Sequence, residues 1–558
     1  MLRLLAAIPQ LFVENPLFLF EALLIAVAAL LALDARPGRK PRLRGLRAAF
    51  RGLARRRGLA VAAVGLFALF GRLALLPVLP VPVPHAHDEF SYLLAADTFA
   101  SGRLANPAHP MWLHFETMHV NQKPAYMSMY PPAQGMALAA GKVLFGHPWW
   151  GVWLSAGLMC SAICWMLQGW LPPGWALLGG FIAAVRLGLF SYWMNSYWGG
   201  AVAAIGGALV LGALPRLMRK PGVLRAVLFA LGVAILANSR PYEGLLLALP
   251  AGIVLLARMP KLRVVAPIAL VLVLAASAML YYNWRVAGDP FRLPYQVNRE
   301  TYVQARYFVW ESTNPRPVYN HAAMRDFYVG WQLRQSEWAG TPAGFLQNAV
   351  HFAVYFWAFF LGPLLTVPLL MIHRLVRDRR MRLLAVTAAL SLVGLGANLF
   401  FVQHYAAPAT ALLYALLLQG LRHLRAWRPP LAPAFVAVCA VMLLVRLGAE
   451  PVQGRLMPSD LATWFQSPKG FTERAEIQSR LDETPGMHLI VVRYSAGHDP
   501  EREWVYNTAD IDRAKVVWAR EMDEASNRRL LAYFKGRRVW LLKADSASPK
   551  LSPYPPHE

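Results

Sequence analysis

Apolar runs alternate with short basic stretches from residue 11 to residue 449. The runs fall at 11–34, 58–82, 148–168, 173–190, 199–215, 224–238, 241–257, 263–283, 347–372, 382–400, 405–421 and 431–449. Most are long enough to predict bilayer-spanning helices, about twelve in all. Past residue 450 the pattern changes. Segments 471–481 and 524–535 carry a helical period, and 488–493, 515–519 and 538–543 are short apolar strands. That order predicts a small soluble α/β domain with a partly parallel sheet. The expected fold is therefore an all-α polytopic membrane protein with a C-terminal α/β domain. It divides into an N-terminal helix and basic loop (1–57), a transmembrane domain (58–450) and the tail (451–558).

Charge sharpens the topology. The chain of 558 residues is 57% hydrophobic and carries a net charge of +26. The basic residues concentrate in short loops, so the excess gives orientation rather than a nucleic-acid partner. The block from Arg36 through Arg57 falls on the same side as Arg216–Arg225, Arg258–Arg263, His373–Arg382 and Arg422–Arg428. All five are expected in the cytoplasm. The other face then holds the loops 84–147 and 284–346, the short turns near 195, 240 and 404, and the tail. This predicts a multi-pass bacterial inner-membrane protein with its chemistry on the periplasmic or extracellular side. Three cysteines, all in apolar segments, give no disulfide framework. The start of the chain reads as a retained segment rather than a cleaved signal.

Candidate chemistry falls on that outer face. His85-Ala86-His87-Asp88-Glu89 puts two carboxylates and two imidazoles at the mouth of a membrane helix, where charge is costly. The pair Asp88-Glu89 opens a stretch whose 3–4 spacing predicts an amphipathic helix on the membrane surface. Either carboxylate starts that helix, or one is a general base toward a hydroxyl or amine. A divalent metal held with His85 and His87 is a further reading. Lys123 suits phosphate, and Tyr130-Pro131-Pro132 reads as a turn into a helix. Asn195, Tyr197 and Trp198 combine aromatic faces with an amide, as sugar binding requires. Arg240 cannot shed its charge, so it needs a phosphate or a pair with Glu243, beside Tyr242. His404 and Tyr405 occupy another short outer turn. The loop 284–346 interleaves seven arginines, Arg285 to Arg334, with tyrosine and tryptophan, which suits an anionic head group or glycan.

An acidic pair in the first large outer loop, many helices, a second large outer loop and a soluble outer tail resemble the GT-C superfamily. These are polytopic glycosyltransferases that use polyprenyl-phosphate-linked sugars. The resemblance spans about residues 58–450 and is nearest the bacterial branch related to protein O-mannosyltransferases and the lipid A aminoarabinose transferase. The first helix and the α/β tail depart from that pattern. The resemblance implies that Asp88 or Glu89 activates an acceptor on a lipid, glycan or protein. Transfer proceeds with inversion, with Lys123, Arg240 and His404 as candidates to meet the departing polyprenyl phosphate. A lipid or glycan transporter or flippase is the alternative class, with Arg72 and Arg186 as charges inside apolar segments. A third reading is an assembly protein that docks through its tail.

Overall fold

The computed structural model describes residues 12–34, 44–258, 261–449, 461–468 and 470–555. The first basic loop up to residue 43 and the start of the tail at 450–460 lie outside these. Every expected apolar run contains a helix, but the runs differ in reach. Among the described residues, seven helical segments are long and apolar enough to cross a membrane: Pro16–Asp34, Arg57–Ala74, Trp149–Trp170, Ala201–Arg219, Leu262–Ala287, Pro342–Arg377 and Leu431–Ala449. Pro173–Leu187, Val223–Ala237, Pro241–Ala257 and Arg382–Gly396 are apolar but shorter. A helix of 15 residues rises only about 22 Å, against a hydrocarbon core of about 30 Å. Among the described residues seven helical segments reach that length, against about twelve apolar runs expected from the sequence. Pro173 and Pro241 stand in the first turn of their helices, where a missing N–H costs nothing.

Close approach builds the end of the bundle that carries His404. The 3-10 segment Gln403–Ala409, which carries His404, lies so near the helix Ala201–Arg219 that a Cβ on Gly207 would meet the Pro408 carbonyl at 1.9 Å. Only glycine permits that approach.

The charges expected inside apolar segments are satisfied. Arg72 donates from Nε to Asn195 at 2.9 Å and from Nη2 to the Pro80 carbonyl at 3.0 Å. Arg186 pairs with Glu21 at 2.5 Å, donates to the Leu361 carbonyl at 3.0 Å and lies over Trp464. Both arginines therefore have structural partners, and neither gives the transporter reading its intramembrane charge. Part of the basic excess of 284–346 is likewise matched internally. Arg299 pairs with Glu311 at 3.0 Å, Arg292 with Glu300, and Arg325 with Asp326.

Above the bundle the outer loop and the tail share one core. The tail sheet runs Val516–Arg520, His488–Arg493, Arg538–Lys543, Leu551–Pro553, with its first three strands parallel and the last antiparallel. Leu489, Val491, Val517 and Phe534 of the tail pack with Leu94, Phe115, Val120 and Tyr126 of the outer loop. Hydrogen bonds stitch the seam: Ala509 N–H to the Asp97 carboxylate at 2.8 Å, and Arg520 Nε to the Glu116 carbonyl at 3.0 Å. The helix His87–Ala100 lies in this seam. It was expected to be amphipathic at the membrane surface, but it is buried on most of its circumference. Its polar positions meet protein rather than water, because the tail covers the side that the sequence pattern leaves open.

Candidate functional site

The helix His87–Ala100 separates the acidic pair. Its N-cap is Ala86, in extended conformation, so neither Asp88 nor Glu89 is the capping residue. Glu89 instead reaches back over the first turn. Its Oε1 accepts the N–H groups of His85 at 2.9 Å and Ala86 at 3.2 Å, and its Oε2 accepts that of Tyr197 at 2.8 Å. This carboxyl is 1% exposed, and burial pushes its pKa up to about 7. Both of its oxygens serve the backbone, which favours a joining role between the helix start and the 191–200 turn.

Asp88 turns the other way. Its Oδ1 accepts the phenol of Tyr130, and His119 Nδ1 lies 3.7 Å from the same oxygen. The Tyr130 ring stacks on Tyr92, with centroids 4.6 Å apart. Tyr92 follows Asp88 by one turn, so the two share a helix face. The small sheet Asn106–Pro107, Ala125–Ser128, Val120–Asn121 positions the rest. Ser128 Oγ bonds Ser91 on the helix at 2.7 Å, and the chain then turns through Tyr130 into Pro132–Phe145.

Arg240 approaches from the bundle. It is the N-cap residue of Pro241–Ala257, and its guanidinium lies 4.4 Å over the Tyr405 ring. Its charge interacts with Tyr92, Tyr405, Glu243 and Tyr130, and Tyr405 interacts with Asp88 as well. Among the described residues Arg240 has no ion pair. Glu243 lies near but does not close one. His404 sits against Tyr405 and Trp198, with centroids 5.2 and 5.1 Å away, and its Nδ1 meets the Tyr192 hydroxyl at 3.3 Å. Burial beside Arg240 holds His404 well below the usual histidine range, so the ring is neutral. The indole N–H of Trp198 is buried without a partner among the described residues.

Asp88, Tyr130, Arg240, Tyr405, His404 and Trp198 are therefore brought together with Tyr92. The remaining expected residues are not. Asn195 holds Arg72 and the carbonyls of Leu189 and Ser191. Tyr197 donates to the Pro82 carbonyl at 3.0 Å. Tyr242 donates to the Gly394 carbonyl at 3.0 Å on a neighbouring helix. Lys123 stands at the far end of the strand pair from His119 and Tyr130, 4.3 Å over Trp112. The two histidines offered as metal ligands diverge. His85 is exposed, while His87 is buried with its Nδ1 2.5 Å from the Tyr506 hydroxyl of the tail. Burial takes His87 down to about 3, so it is neutral. No group of three or more metal-ligating side chains occurs among the described residues. Sequence reasoning missed Tyr92, His119 and Tyr506. Tyr92 looked like one residue of an apolar face. His119 and Tyr506 carry no local motif and are placed only by strand pairing and by the tail.

The fold and this cluster define a polytopic, mainly helical protein with polar chemistry gathered at one end of its helices. No known family's sequence model matches the chain, and no curated protein matches it. Solved structures do. The chain is similar to ArnT from Cupriavidus metallidurans in the apo state, at 16% identity over 86% of this chain and 93% of that one, TM-score 0.46. The same protein bound to undecaprenyl phosphate matches at 15% identity over 87% and 92%, TM-score 0.47. The Archaeoglobus fulgidus oligosaccharyltransferase in complex with Zn and sulfate matches at 11% identity over 87% and 67%, TM-score 0.43.

Proposed function

We propose that this protein is a membrane glycosyltransferase. It moves a sugar from a polyprenyl-phosphate donor to a lipid, glycan or protein acceptor at the face opposite the basic loops, in a bacterial inner membrane. The observation that carries this reading is the pairing of unlike groups in one cluster: a carboxylate with a free oxygen, Asp88, and a guanidinium without an ion pair, Arg240. A cation left uncompensated beside an apolar bundle is stabilised by an anionic ligand. An apolar groove of about 720 Å³ supports the same reading. It is lined by Phe99, Met136, Leu231, Ala278 and Met279, and it shares Pro132 with the Tyr130 turn and Asn238 with the Arg240 loop. A groove of that lining suits an isoprenoid chain whose phosphate lies near Arg240.

The chemistry follows from the positions. Asp88 Oδ2, which accepts no hydrogen bond from the described residues, takes the proton from the acceptor hydroxyl or amine. The nucleophile attacks the anomeric carbon from the side opposite the phosphate, and the configuration inverts. The glycosyl–oxygen bond breaks, and the polyprenyl phosphate leaves with its electrons. Arg240 meets the developing charge, with the Trp198 N–H and Tyr405 nearby. Glu89 keeps the helix start against the 191–200 turn.

The test is turnover in proteoliposomes of bacterial lipid extract, with a panel of polyprenyl-phosphate-linked hexoses and pentoses, reading release of free polyprenyl phosphate. Asp88→Asn should lower turnover about 10²- to 10⁴-fold, the usual contribution of a positioned base. Undiminished release by this variant overturns the base assignment. No release from any donor by the unaltered protein overturns the transferase reading.

A further inference from the structure

His119 is the one non-glycine residue with positive φ among the described residues, at 61°. A histidine in that region is strained, and it persists only where its surroundings over-determine it. The surroundings here do so. The His119 carbonyl accepts from Ser91 Oγ at 2.7 Å and from the Met129 N–H at 3.2 Å. Its own N–H donates to the Tyr328 hydroxyl at 3.5 Å. Its ring stands edge-on to Tyr130, Phe327 and His87 at 5.8, 5.6 and 5.8 Å. Groups from the Asp88 helix, the small sheet and the second outer loop thus fix one side chain.

What they aim is Nδ1, which lies 3.3 Å from the Tyr130 hydroxyl. A phenol has one hydrogen, and Tyr130 gives it to Asp88 Oδ1. The Tyr130 oxygen can therefore only accept from His119, so His119 must be the Nδ1–H tautomer. Burial keeps the ring from charging. The result is a directed chain, His119 Nδ1–H to Tyr130 O–H to Asp88 Oδ1. The groups facing it are His87 and Asp88 from the helix and Tyr130 from the turn. Tyr328 adds to these from the second outer loop, and Tyr506 from the tail, through His87.

We infer that His119 is a positioning residue: it orients the Tyr130 phenol so that one oxygen of Asp88 is held and the other is presented to the acceptor. This rests on the reading of Asp88 as the base. The chain donates toward Asp88 and keeps its carboxylate from rotating. It touches neither donor nor acceptor. Its loss should fall on kcat and leave the KM for the lipid donor in place.

The experiment compares His119→Gly, His119→Asn and Asp88→Asn in proteoliposomes, with a polyprenyl-phosphate sugar that the unaltered protein turns over. Glycine keeps the backbone angle without strain, and circular dichroism checks that the His119→Gly protein is folded despite the lost ring. Its kcat should fall roughly 10- to 100-fold, the scale of a misplaced reacting group. Asparagine tolerates positive φ and keeps an N–H donor, so His119→Asn should recover part of kcat. An inactive Asp88→Asn with an unaltered kcat in His119→Gly overturns the positioning role alone. A fully active Asp88→Asn overturns the base reading and the role of His119 with it.

Discussion

Arg186 and Arg240 are two guanidiniums set among apolar helices, and the protein treats them in opposite ways. Arg186 is 3% exposed and fully occupied: a carboxylate, a carbonyl and an indole face surround it. Arg240 is part-buried and faces rings and hydroxyls, with no ion pair among the described residues. Their burial differs, but it is not the telling difference. What tells them apart is whether the structure itself supplies the counter-charge. Where it does, as at Arg186, the arginine joins helices; where it does not, as at Arg240, the guanidinium is left facing rings and hydroxyls.

The comparison breaks most sharply at Glu21. Glu21→Gln leaves Arg186 charged and buried, and the loss of one partner from such a pair should cost about 3–5 kcal/mol. A large fall in melting temperature in detergent would register it, and the double change Glu21→Leu with Arg186→Leu should recover most of the loss. An unaltered melt in Glu21→Gln would mean that Arg186 is not held by this pair. Arg240 should respond in the other way. Arg240→Ala should lower release of polyprenyl phosphate about 10²- to 10³-fold, as loss of a transition-state charge partner does, with little change in melting. A variant that unfolds instead would make Arg240 another structural arginine.

The smallest effect is pH-dependent and separates the two ends of the His87–Glu89 turn. Burial holds His87 neutral, with its pKa lowered from 6.5 to about 3. Its contribution is present above pH 6.5 and is lost as pH falls, at up to about 1.4 kcal/mol per pH unit. Glu89 is raised from 4.5 to about 7, so its contribution is full at low pH and is lost as pH rises through 7. Between pH 6.5 and 4.5 the two oppose each other. The unaltered protein should melt at nearly constant temperature across that window. Glu89→Gln should become less stable on acidification, and His87→Gln more stable. Parallel curves for all three would mean that neither group titrates with folding.

The sequence carries the positions of the helices well, because a run of apolar residues is a local signal. It carries their reach less well. Pro173–Leu187 and Pro241–Ala257 read as apolar runs in the sequence, but as helices they are only 15 and 17 residues long. The tail strands His488–Arg493 and Arg538–Lys543 are legible to the residue, since β-branched and apolar runs there are bounded by glycine and charge. The cluster was legible only in part. Asp88, Arg240 and His404 stand out because polar residues in short outer turns are conspicuous. Asn195 and Tyr197 stand out for the same reason, yet they serve Arg72 and Pro82. A polar residue in a short turn shows that something is bonded there, and whether the partner is protein or ligand is decided by tertiary packing. His119 was invisible for a different cause: its backbone angle is a property of the folded sheet and has no trace in a single histidine between Met118 and Val120.

The contact between the first helix and the tail linker bears on how the chain is made. Phe18 packs edge-on against Phe465 at 5.0 Å, and Trp464 covers the Glu21–Arg186 pair. Phe18 and Phe465 stand about 450 residues apart, so this is among the latest contacts that synthesis can complete. Pro16–Asp34 enters the bilayer with a carboxylate in its second turn, long before the guanidinium of residue 186 or the indole of residue 464 leaves the ribosome. Until then Glu21 has water, lipid head groups or a chaperone as its only company. The nascent protein must shelter Glu21 until Arg186 is made, about a third of the way along the 558 residues, and the linker that carries Trp464 closes over the pair far later.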